Sequence, residues 1–168
     1  MRMKNNIILI GMPGVGKSTV GVILAKIMGY HFIDADIVIQ QQEQKLLKDI
    51  IAEQGVEGFI QVENRINASI DGNQCIIATG GSVVYGEEAM EHYRRIGTVI
   101  YLKQSFDVLS VRLRDIRGRG VVLKPGQDLK DLYMERCSLY EKYADIVIDE
   151  RNLNVEETID KILAVLNP

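Results

Sequence analysis

Short apolar runs alternate with longer amphipathic stretches along the whole chain. The runs at residues 6–10, 31–34, 75–78, 98–102 and 146–148 are β-branched and nearly all apolar, as expected of strands buried on both faces of a parallel sheet. Between them, apolar positions fall at helical spacing. Val20, Ile23, Leu24, Ile27 and Met28 predict a helix over 18–28, and Leu129, Leu132, Tyr133, Tyr140 and Tyr143 predict another over 128–143. A last stripe, Val155, Ile159, Ile162 and Leu166, opens at Asn154, with Glu157 completing a cap-like pair. This alternation predicts an α/β architecture, three layers deep, with a central five-stranded parallel sheet.

Two segments break the rhythm. Residues 36–70 carry two successive helical patterns with no strand between them, and read as an insertion standing off the sheet. Residues 114–127, RDIRGRGVVLKPGQ, mix glycines, a proline and charges without periodicity, and read as a mobile loop. Such segments above the carboxyl ends of parallel strands commonly close over a ligand.

Composition then narrows the classes. A chain of 168 residues fits one domain, spanning 1–168. With 46% apolar and 26% charged residues it can bury a core, which excludes wholesale disorder. No apolar run approaches the roughly 18–20 residues of a membrane span, and the opening MRMKNN lacks a signal-peptide pattern. Twenty basic against 23 acidic side chains, net −3, argue against a nucleic-acid partner. Cys75 and Cys137 make neither a disulfide framework nor a metal-site spacing. The expectation is a cytoplasmic monomer with a small-molecule substrate.

The strongest chemical signal is GMPGVGKS at residues 11–18, a full match to G-x-x-x-x-G-K-[ST] between a predicted strand and a predicted helix. Its glycines let backbone N–H groups curl around a phosphate at a helix N-terminus. Gly14, Val15, Gly16, Lys17, Ser18 and Thr19 are therefore the expected nucleotide-binding residues. Lys17, as the charge of an exposed loop, is placed to bridge the β- and γ-phosphates, and Ser18 to offer its hydroxyl to Mg²⁺.

Other motifs select among phosphate-loop proteins. The N-K-x-D of guanine readers is absent, and D-x-x-G at Asp115–Gly118 sits in the irregular loop. The run ending at Asp149 and Glu150 has the form of a motor-ATPase metal site, but too few residues follow it for coupling elements. Asp34 and Asp36, ending the second strand, fit a small kinase better. Period-two geometry would point both to one side. One can hold water around Mg²⁺ while the other accepts the acceptor's hydroxyl proton.

With these motifs in order, the whole chain resembles the shikimate kinase family. The matching positions are the phosphate loop, F-I-D-x-D at 32–36, Gly55 with Phe59 and Glu63, and ATGG at 78–81. Arg112 and Arg119 follow, then Glu135, Arg136, Leu139 and Tyr140, before Ala144 and Asp145. The resemblance implies a P-loop kinase fold in which Mg·ATP phosphorylates a hydroxyl of a small cyclic carboxylate. It implies an acceptor-binding role for the insertion at 36–70 and a lid at 112–126. It places Asp34 near the metal, Asp36 on the acceptor hydroxyl, Gly80 and Gly81 along the acceptor, and Arg136 on its carboxylate. Arg112 would lie against adenine, and Arg119 would descend with the lid as a catalytic residue beside Lys17 and Asp36.

Two of these assignments have independent support. Arg136 falls inside an apolar helical stripe, where a charge is costly unless it meets an anion. Residues 112–119 hold four arginines beside glycines, suited to delivering charge to phosphate on closure. Three positions depart from the family pattern: Ile60 where an arginine usually follows the phenylalanine, Ser82 for a third glycine, and Gly120 for the lid's proline. Arg65, roughly 500° around a helix from Ile60, is no obvious substitute. The expected activity is phosphorylation of shikimate by ATP. The alternatives are a related kinase with another hydroxylated acceptor and a nucleotide-binding regulatory module without turnover.

Overall fold

The computed structural model describes residues 5–114 and 123–167. Five strands run parallel in the order β2-β3-β1-β4-β5: β1 (Asn6–Ile10), β2 (His31–Asp34), β3 (Cys75–Ala78), β4 (Gly97–Lys103) and β5 (Ile146–Asp149). Seven helices are described with them: α1 (Lys17–Met28), α2 (Ala35–Glu43), α3 (Leu47–Asn67), α4 (Glu87–Ile96), α5 (Phe106–Arg114), α6 (Leu129–Tyr143) and α7 (Val155–Leu166). The three-layer α/β arrangement is the one the hydrophobic pattern predicts, and each strand lies within a residue of its expected bounds.

Central β1 is enclosed from all sides. Ile8, Leu9 and Ile10 have no exposed surface, and neither have Ile76, Ile77 and Ile100 on the flanking strands. Each such side chain contributes about 1.5–3 kcal/mol by burial, which makes the end of β1 a rigid base for the loop that follows. Chain order reverses across β1, between β3 and β4, and parallel sheets open a ligand crevice at such a point.

Burial on both faces fails at the edges. His31 of β2 and Val147 of β5 are exposed, since each of these strands has a neighbour on one side only. The stripes are also narrower than predicted: Val20 and Leu24 are buried in α1, but Ile23, Ile27 and Val155 reach solvent. The insertion builds its own small core from Ile39, Ile50, Phe59, Val62 and Ile66. Within α3 the helix breaks at Gly55, whose φ of 73° and ψ of −178° suit only glycine.

Candidate active site

At the carboxyl end of β1 the chain turns through Gly14 (φ 86°) and Gly16 (φ 91°), left-handed conformations that other residues resist. Gly16 caps α1 without any side-chain hydrogen bond. The first N–H groups of a helix have no intrahelical acceptor, so this end is built to receive an anion. Lys17 is buried rather than exposed, only 8% accessible. Its Nζ donates to the Gly11 carbonyl at 2.6 Å and the Met12 carbonyl at 2.8 Å. Burial lowers its pKa to about 8, against the opposing pull of Asp36.

Ser18 donates its hydroxyl to Asp34 Oδ2 at 3.1 Å. Asp34 ends β2 and caps α2, its Oδ1 accepting from the backbone N–H groups of Asp36 (3.0 Å) and Ile37 (3.3 Å). The two aspartates therefore do not share a strand face. Asp36 is in the first turn of α2, and the cap, not strand pleating, sets their relation. A hydroxyl and a carboxylate at hydrogen-bond distance form the hard-oxygen set that Mg²⁺ takes with several waters. Asp36 carries a pKa raised to about 6, by burial first and Asp34 second, with Lys17 opposing.

Across from these groups, the turn after β3 brings Gly80 and Gly81 close to charged side chains. A Cβ on Gly80 would lie 2.8 Å from both Asp36 Oδ1 and Glu63 Oε2, and one on Gly81 would lie 2.9 Å from Arg136 Nη1. Only glycine fits. Arg136, 1% exposed on α6, has its guanidinium carbon 5.5 Å from the Tyr85 ring centroid. Tyr140 donates to the Gly81 carbonyl at 2.6 Å and fixes that turn against α6.

Glu63, one helical turn from Phe59, is 1% exposed and accepts from the Ser82 hydroxyl at 2.5 Å. Burial raises its pKa to about 7; the Ser82 hydrogen bond and the charge of Arg136 pull it down. Ser82 thus turns its side chain onto a carboxylate. In Ser82→Ala the Glu63 pKa rises further. A hydrogen bond to a charged group is worth about 1.5–3 kcal/mol, or about one to two pH units. If ionised Glu63 is needed to hold Arg136, the acidic limb of kcat/KM for the acceptor moves up by that amount. An unshifted profile would dismiss this role.

One cavity of about 830 Å³ joins these groups. Gly14, Gly16, Lys17, Ser18, Thr19, Asp36, Gly80, Gly81, Arg112 and Arg136 all line it. Val15 does not: it is 3% exposed and packs into the core behind the loop. Asp34 reaches the site through Ser18. Arg112 donates to the Gly14 carbonyl at 2.9 Å, at the nucleotide end. Arg119 and residues 115–122 of the expected lid lie outside the described residues. The sequence names Glu63 and Ser82 as motif positions without a role and does not single out Gln40 or Lys48, yet all four line the cavity. Glu63 could have been found as Arg136 was, by its charge on the apolar face of Phe59, Val62 and Ile66. At β5, Asp149 is held by Arg151 at 2.9 Å, and Glu150 is buried where the charges of Arg112 and Lys17 reach it.

A parallel sheet with a phosphate loop at its switch point, opening into a cavity with a carboxylate and a buried arginine, defines a P-loop kinase of small molecules. The family model described as shikimate kinase matches residues 13–167. A shikimate kinase of Thermodesulfovibrio yellowstonii is 35% identical over 94% of this chain and 92% of its own. One from Trichormus variabilis is 38% identical over 94% of this chain and 86% of its own. The solved shikimate kinase of Acinetobacter baumannii in complex with shikimate superposes with a TM-score of 0.87 at 27% identity, covering 98% of this chain and 94% of that one. The chain belongs to the shikimate kinase family.

Proposed function

We propose that this protein transfers the γ-phosphoryl group of ATP to a hydroxyl of shikimate. One observation carries the reading: a buried arginine, a carboxylate and a phosphate loop face a single cavity. The loop's backbone N–H groups and Lys17 bind the ATP phosphates and stabilise the charge that spreads over the transferred group. Val15 supports the loop from behind, and Thr19 and Arg112 serve the nucleotide end. Ser18 and Asp34 would hold Mg²⁺, which when bound neutralises phosphate charge. Asp36 orients the acceptor hydroxyl and takes its proton. Gly80 and Gly81 admit the acceptor ring, and Arg136 binds its carboxylate. Arg119 is assigned to the closing segment at 112–126, and the insertion at 36–70 to the acceptor, within one domain.

Among the described residues no helix is long and apolar enough to cross a membrane. Cys75 and Cys137 are free thiols; a cytoplasmic, monomeric enzyme is part of the same proposal. The test is ADP release with shikimate beside a panel of hydroxy acids, sugars and cyclitols. Shikimate is expected to be turned over in preference to all of them. Turnover of a neutral sugar or cyclitol but not shikimate would leave a kinase with another acceptor, and ATP binding with no turnover would leave the regulatory module.

A further inference from the structure

The acceptor end of the cavity poses a charge problem. Two carboxylates line it, Asp36 and Glu63, against one buried cation, Arg136, while Lys17 and Arg112 lie at the nucleotide end. Among the described residues an anionic acceptor entering that end meets one buried cation between two acidic side chains, and a second cation facing it would strengthen its hold. Ile60, beside Phe59, brings none.

Among the described residues, Lys48 is the remaining cation on the cavity wall. It lies in the first turn of α3, and that turn is fastened to the site. Gln40, four residues beyond Asp36 on α2, accepts from the Leu47 N–H at 3.1 Å through its Oε1, and both Gln40 and Leu47 line the cavity. The other cations of the insertion are engaged outside it: Lys45 pairs with Glu53 at 2.5 Å and Arg65 with Glu43 at 2.7 Å. The Lys48 side chain makes no hydrogen bond or ion pair among the described residues.

We infer that Lys48 is the second cation that holds the acceptor's carboxylate, working from the helical insertion while Arg136 works from α6. The inference rests on the shikimate reading and adds to it a specificity-determining residue. Lys48 adds a second positive charge at the acceptor end, opposing the carboxylates of Asp36 and Glu63. Lys48 is exposed, and its flexible stem lets the ammonium follow the carboxylate.

The test measures steady-state kinetics of the full chain with shikimate and with its methyl ester, which lacks the charge. Lys48→Ala is expected to raise KM for shikimate by about tenfold, the size of one charged hydrogen bond, with KM for ATP and kcat little changed. Lys48→Arg should restore most of the affinity, and Lys45→Ala should change nothing. The ester should bind wild type and Lys48→Ala alike. A rise under about threefold for shikimate, or an equal loss for acid and ester, overturns the inference and leaves the shikimate reading standing. Failure of the wild type to phosphorylate shikimate overturns both. Ala and Arg are good helix formers at an exposed first-turn position, so the variants fold.

Discussion

Lys17→Ala is expected to lower kcat by about 10²-fold or more, because removing one preorganised charge-stabilising contact typically costs that much. The loop carries no other cationic side chain between Gly11 and Thr19. Its ammonium is already positioned, held by two carbonyls at 2.6 and 2.8 Å, so little reorganisation is left for the reaction. Stability should survive. The substitution removes a desolvated charge, which offsets the loss of a donor to the buried Gly11 and Met12 carbonyls. The melting temperature should therefore stay near the wild-type value. Turnover within about threefold of wild type would end the phosphate-loop mechanism. A pH series adds a second check. With its pKa lowered to about 8, Lys17 is charged below that pH and neutral above it in the free protein. Phosphates favour the charged form, so ATP affinity should be flat below about pH 8. Above it, affinity should fall by up to about tenfold per pH unit. Lys17→Ala should bind more weakly and lose that dependence.

The phosphate end of the site was legible in sequence because its chemistry is local. Residues 11–19 form strand end, loop and helix start in one piece, and the strand before them is apolar throughout. The central strands were equally legible, since burial on both faces leaves no polar alternation to misread. Edges were not: β2 and β5 look apolar in sequence, and only the strand order reveals that each has one neighbour. Stripe width failed for the same kind of reason. Helical spacing gives the direction of the buried face of α1 but not how far its partners extend over Ile23 and Ile27. Lys17 looked exposed because a glycine-rich loop usually is, yet the chain wraps over it. The acceptor end was read in part. Arg136 betrayed itself as a charge in an apolar stripe, whereas Ser82 on Glu63 and Gln40 on the Leu47 N–H join separate segments and leave no local pattern. The Asp34–Asp36 pair was found with the wrong geometry, through strand pleating in place of a helix cap.

Asp36→Asn is expected to lower kcat by roughly 10²–10⁴, the usual worth of a positioned general base. The substitution keeps size and shape, and Asp34, not Asp36, caps α2 through the N–H groups of Asp36 and Ile37. The helix start is therefore preserved, and the amide still fits beside Gly80. What is lost is the charge: asparagine can accept a hydrogen bond from the acceptor hydroxyl but cannot take its proton. A defect in kcat with KM nearly unchanged assigns Asp36 to the chemical step, whereas a rise in KM alone makes it a uniform binding contact. Neighbouring charges set the conditions of the measurement. Asp36 is the largest charge that keeps Lys17 protonated, so the variant lowers the Lys17 pKa further. Assays at pH 8 would then mix two losses, one from each residue. At about pH 6.5 Lys17 stays charged, while wild-type Asp36, with its pKa near 6, is mostly ionised. The ratio of kcat values there is free of the Lys17 loss. A loss of less than about tenfold at that pH, with ATP affinity intact, would remove Asp36 from proton transfer and leave it only orienting the acceptor.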